Sequence, residues 1–174
     1  MPGARRLGRI HDGPGTFGIY EEITLLYFAY TARISPVQMQ TVAPGAEFQF
    51  IAHLPEWELD FPIFDDAWNG QLPSARQTAG STVWGAVFEV PDGDVDTLDD
   101  AERGEQRDPV TVEAMDRTGR RHQVTVYLAE GTAASNGNGH RPSSEYLRVM
   151  LDGSRHWSLP AGWIAGLEEH LGPN

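Results

Sequence analysis

Carboxylates are the side chains best placed to do chemistry in this chain, and one stretch isolates a candidate among them. In "LDDAERGE" Glu102 follows, within about twelve residues, the fully apolar strand-like run "TVWGAVFEV". A short helix there can return a carboxylate to the open end of a sheet. Other catalytic patterns fail on context. "GPGTFG" has the G-x-G-x-x-G spacing but precedes the first strand instead of joining a strand to a helix, so it reads as turn formers and not as a phosphate cradle. The six histidines, at 11, 53, 122, 140, 156 and 170, show no H-x-H or H-E-x-x-H spacing for a metal. Ser81 in "TAGSTVWG" lacks the glycine frame of a nucleophile elbow.

Composition removes further classes. All 13 basic residues are arginine, and with neither lysine nor cysteine there is no Schiff-base amine, thiolate nucleophile, Cys-ligated zinc or disulfide. A formal net charge of −12 argues against nucleic acid, whose binding needs clustered cations. No segment approaches the roughly 20 apolar residues of a membrane span, and the N-terminus has no signal-like apolar stretch. The expectation is a cytoplasmic protein, and an Arg-only, Ala/Gly-rich chain suggests a bacterial gene.

Patterning supplies the elements around Glu102. Residues 1–20 read as a flexible Gly/Pro/Arg-rich arm and 21–174 as one domain. "EITLLYFAY", residues 22–30, predicts a strand buried on both faces. Ser35 and Pro36 open a short helix that Pro44-Gly45 ends. "EFQFIAHLPEWELDFP" reads as two short strands broken at Pro55, and residues 64–81 as loop. "TVWGAVFEV" predicts a buried strand, followed by a turn and a short acidic helix. "VTVEAM" and "QVTVYLA" flank a hairpin turn. Residues 130–141 form a Gly/Asn/Ser tract expected to be disordered. After it Ser143 or Ser144 caps a helix with Tyr146, Leu147, Met150 and Leu151 on one face, and Pro160 opens a last one. The order predicts an α+β domain.

Several blocks, in order along the chain, resemble the gamma-glutamylcyclotransferase-like family. "YFAYTARI" is similar to its Y-F-A-Y-G-S-N-L opening, "AWNGQ" to its W-x-G-G loop and "TVWGAVFEV" to its E-V-W-G-V-V strand. "VDTLDDAERG" is similar to L-D-x-x-E-G, and "RPSSEYLRVMLDGSRHWSLP" to P-S-x-x-Y followed by G-A-x-x-x-G-L-P. The resemblance implies a small closed or nearly closed mixed β-barrel with flanking helices. It also implies cleavage of a γ-glutamyl amide by the substrate's own α-amine, releasing 5-oxoproline and a free amine, with no cofactor and no metal. Glu102 would be the acid/base. Backbone N–H groups of Tyr30, Thr31, Ala32, Arg33 and Ile34 would hold the substrate as an anion nest, with Tyr146 nearby.

The departures from the family pattern lie mostly around that turn. Thr31 replaces a glycine and would be strained at positive φ, while Arg33 replaces an asparagine and brings a cation able to grip a carboxylate. Arg103 and Gln71 replace two more glycines, and no tyrosine occurs between Tyr30 and Tyr127. These changes point to a nonstandard small-molecule γ-glutamyl amine, for example an intermediate of secondary metabolism. Two alternatives stand beside it: another carboxylate-catalysed reaction (elimination, cyclisation or hydrolysis) and a non-catalytic binder of acidic small molecules. The expected partner is the small-molecule substrate, with no nucleic acid and no membrane, in a monomer or homodimer.

Overall fold

The run around Leu25–Ala29 buries alternate residues in two different places, and that alternation explains the architecture. In a computed structural model, which describes residues 4–11, 17–130 and 141–172, the run is the second half of strand β2 (Phe17–Ala29). Leu25, Tyr27 and Ala29 pack with Leu98, Met39 and Leu159 beneath the helices. Phe28 and Tyr30 join Ala52, Leu54, Val83, Val87, Val124 and Val126. Those partners come from β3 (Glu47–Asp65), β4 (Gly70–Pro91) and β6 (Arg121–Leu128), so this second face is the barrel interior. A strand apolar on both faces is what such a two-sided environment requires.

The sheet order is β1-β2-β4-β3-β5-β6, and a parallel pairing at Tyr27 and Thr125 joins β6 back to β2. Five strands, β2 to β6 with β5 at Asp108–Asp116, thus close a mixed barrel. Strand β1 (Ala4–His11) extends it by pairing antiparallel with β2 from Phe17 to Thr24. The N-terminal stretch read as an arm therefore contains strand pairing. Residues 1–3 and 12–16, with Gly13 and Gly15 of "GPGTFG", lie outside the described residues, as do residues 131–140 of the polar tract.

Two expectations are corrected. β3 does not stop at Pro55; it runs on past a register shift between Pro55 and Trp57, where Glu56 takes φ 66°. A bulge absorbs the missing proline N–H without ending the strand. Most of the 64–81 "loop" belongs to β4, joined to β3 by a turn at about 66–69. Its turn-forming composition hid a strand in which Gln71, Leu72, Ser74 and Ala75 are all buried.

Four helices flank the barrel: α1 (Pro36–Val42), α2 (Asp92–Gly104), α3 (Ser144–His156) and α4 (Ala161–His170). In α2 the buried residues are Leu98 and Glu102, four apart on one face. Leu98 enters the apolar layer over β2. Burying such a side chain stabilises the packing by about 1.5–3 kcal/mol, and the helix carries Glu102 inward with it. Asp92 and Asp94 sit in the first turn, where the helix dipole favours them, and Asp94 accepts the Gly45 N–H at 2.7 Å.

α3 is capped by Ser143, whose hydroxyl accepts the Tyr146 N–H and donates to the Trp68 carbonyl. Its far end presses on the turn after β2: a Cβ on Gly153 would lie 2.5 Å from the Ile34 carbonyl carbon. That contact is with backbone, so a larger residue must push α3 away from the turn. Gly153→Ala should lower unfolding stability by about 1–3 kcal/mol in urea titrations. An unchanged midpoint would contradict the close approach.

Candidate active site

The end of β2, the turn that follows it, the end of α2 and the start of α3 converge on four buried charges. Glu102 and Arg107 have no exposed surface; Arg33 and Glu105 retain 6% and 8%. Glu102 Oε1 accepts hydrogen bonds from the Tyr27 hydroxyl and the Thr31 hydroxyl, each at 3.0 Å. Its Oε2 accepts from Arg107 Nη1 at 3.1 Å. Arg107 also donates to Glu105 Oε1 at 2.8 Å, to the Pro73 carbonyl at 2.7 Å and to the Tyr146 hydroxyl at 3.2 Å. Arg33 Nη1 lies 2.6 Å from Glu105 Oε2, and its Nε lies 3.7 Å from Glu102 Oε1. Two carboxylates and two guanidiniums make the cluster formally neutral, the arrangement buried charges need.

Local structure explains how each group arrives. Ala32–Ile34 is one 3-10 turn, so chain direction changes just where the apolar strand ends. Thr31 sits at φ −94°, in extended backbone, so the strain expected at a glycine position is absent. Its added hydroxyl serves Glu102 instead. The Ala32 N–H donates to the Tyr146 hydroxyl at 3.1 Å, and the Ile34 N–H to the Thr31 carbonyl at 3.1 Å. Two donors of the expected nest are thus engaged by the protein itself.

Of the residues anticipated from sequence, Thr31, Ala32, Arg33 and Tyr146 gather around Glu102. Tyr30 and Ile34 do not: the Tyr30 hydroxyl donates to the Tyr127 carbonyl at 2.6 Å, and Ile34 packs in the core beneath the helices. Arg103 points outward and pairs with Asp99 and Asp108. Gln71 replaces a loop glycine with backbone bonds to Arg141 and Ser143, securing the approach to α3. Trp68 of the same loop meets the Tyr146 ring edge-on at 4.9 Å.

Tyr27, Glu105 and Arg107 were not anticipated. One signal in the sequence points to Glu105, which lies about one helical turn beyond Glu102. Among the described residues no group of three His, Asp or Glu side chains is arranged to hold a metal.

The surrounding charges set the ionisation of the cluster. Burial pushes the Tyr146 hydroxyl up to about 12, Arg107 opposing it, so Tyr146 remains a neutral hydrogen-bond donor. For Glu105 burial acts upward, but Arg107, Arg33 and the Tyr146 hydrogen bond outweigh it and hold the carboxyl below its ordinary 4.5. A carboxyl depressed in the folded state contributes stability that is complete above its unfolded value and lost as pH falls through the folded one. Urea midpoints of the wild type and Glu105→Gln should therefore differ at pH 7 and converge as the pH falls below 4.5. A gap independent of pH would contradict the pairing.

Known proteins share both sequence and architecture with this chain. A model of the AIG2-like family matches residues 82–167, which include the last part of β4, α2 and most of α4. Mouse gamma-glutamylcyclotransferase is 28% identical over 143 residues, covering 79% of this chain and 73% of its own. The human gamma-glutamylcyclotransferase is 26% identical over 146 residues, covering 80% and 75%. A solved gamma-glutamyl cyclotransferase superposes with a TM-score of 0.76 at 24% identity, over 87% of this chain and 89% of that one. In its barrel, its four flanking helices and its ordered motifs, the chain has the gamma-glutamylcyclotransferase-like fold and is similar to that family.

Proposed function

We propose that this protein is a cyclotransferase-type enzyme that cleaves a small-molecule γ-glutamyl amine, with Glu102 as its acid/base. The observation that carries this reading is the setting of Glu102: a wholly buried carboxylate held by Tyr27, Thr31 and Arg107 at the end of β2. The gamma-glutamylcyclotransferase relatives support the same reaction class. The nonstandard substrate is inferred from the altered turn, chiefly from Arg33.

The reaction requires little covalent help. The substrate's ammonium gives up a proton, its α-nitrogen attacks the γ-carbonyl carbon, and the five-membered ring forms as the bond to the leaving nitrogen breaks. The leaving nitrogen takes a proton, and 5-oxoproline and a free amine separate. Holding the γ-glutamyl chain folded makes the attack unimolecular. A carboxylate has about four acceptor sites, of which Tyr27, Thr31 and Arg107 fill three. The remaining site is on Oε2, where a proton can be received from the ammonium and passed to the leaving nitrogen. Fixed by three donors, the carboxylate needs no reorganisation to do so.

A second reading follows from Arg33, whose side chain already covers Glu102: the fold holds an acidic small molecule without converting it. One comparison separates the two. Wild type incubated with a panel of γ-glutamyl amines and γ-glutamyl amino acids should release 5-oxoproline, and Glu102→Gln should be slower by about 10²–10⁴-fold. Equal rates in both forms would remove Glu102 from the mechanism. Saturable binding of glutamate-like acids with no product from any panel member would favour the binder.

A further inference from the structure

The cluster is layered, and its outer layer has the composition of an occupied carboxylate site. Glu102 and Arg107 form an inner pair with no exposure, whereas Arg33 and Glu105 are the members that reach the surface. Arg33 holds Glu105 through a single nitrogen, Nη1 to Oε2 at 2.6 Å. Its Nε, although buried, has no hydrogen-bond partner. Guanidinium is suited to gripping a carboxylate through two parallel N–H groups, and Glu105 engages Arg33 through one nitrogen only. Charge counting adds a constraint. Two carboxylates already balance two guanidiniums, and a third anion entering beside Glu102 would leave one buried negative charge uncompensated.

We infer that Glu105 is a specificity-determining residue, an internal carboxylate that holds on Arg33 the place of the substrate's own carboxylate and must leave when that group binds. The inference rests on the reading of the site as one for γ-glutamyl compounds and goes further by naming the exchange that admits them. The incoming carboxylate takes over Arg33 Nη1 from Glu105, and the cluster stays neutral as Glu105 moves to water. Its position allows this. Glu105 follows the last residue of α2, and the next residue, Gln106, takes φ 65°. Residues flanking Glu105 in sequence, Arg103, Gln106, Arg107 and Asp108, line a cavity of about 400 Å³ together with Glu130. A ligand without a negative charge cannot replace Glu105, which excludes neutral amides that would otherwise fit.

Calorimetric titration of wild type, Glu105→Gln and Arg33→Asn/Glu105→Gln with 5-oxoproline, its uncharged carboxamide and glutarate tests the exchange. Glu105→Gln should bind 5-oxoproline and glutarate at least tenfold more tightly than wild type. The carboxamide should show no gain, and the double variant should lose the gain. Far-ultraviolet circular dichroism and urea midpoints confirm that the variants fold, and the double variant, neutral within the cluster, provides the comparison if Glu105→Gln is unstable: it should then bind both acids more weakly than wild type. Unchanged affinity for both acids, or a gain that persists without Arg33, overturns the inference, as does binding by none of the forms. A gain for glutarate alone leaves the exchange standing and removes the γ-glutamyl reading.

Discussion

A carboxylate without exposed surface is tolerable only beside a cation equally hidden, and the contact between Glu102 and Arg107 meets that condition. Breaking one partner of such a buried pair typically costs about 3–5 kcal/mol, which makes the pair a constraint on everything around it. Arg107 can remain inside because Pro73, Glu105 and Tyr146 accept its remaining donors. Tyr146 can reach it because α3 is fixed at one end by Ser143 and pressed against the Ile34 turn at the other. Barrel, loop and α3 thus meet at one guanidinium.

The departures from the family pattern at Thr31 and Arg33 act together with charges outside the turn. Thr31 brings a hydroxyl to Glu102 and Arg33 brings a cation to the rim, while Glu105 and Arg107 complete the charge balance. Any one of the charged residues alone would leave an uncompensated charge in the interior. Seen this way, the altered turn does not weaken the case for chemistry at Glu102. It changes what must be displaced before a substrate can arrive.

The strand at Leu25–Ala29, the helix start at Pro36, the cap at Ser143 and the acidic helix carrying Glu102 were legible in the sequence because each has a local signature. So was the likeness to the family, through motifs in fixed order. The N-terminal stretch and the β4 segment carry turn-forming residues, yet pairing with the adjacent strands β2 and β3 holds them extended. Glu105 and Arg107 escaped for a related reason. An acidic run with an arginine after it has the pattern of a solvated helix face, and only the approach of Arg33 from the turn after β2 makes it an interior network. Tyr30 and Ile34 were named for their backbone N–H groups, by correspondence with the family turn, and their side chains pack in the core.

The central claim is that Glu102 and Arg33 divide one site between proton transfer and carboxylate recognition. A crystal structure of the Glu102→Gln protein soaked with a γ-glutamyl amine tests it most directly. The account predicts the α-carboxylate on Arg33, Glu105 turned out of the cluster, and the α-nitrogen within hydrogen-bond distance of residue 102. A ligand bound elsewhere, with the Arg33–Glu105 pair intact, would contradict it.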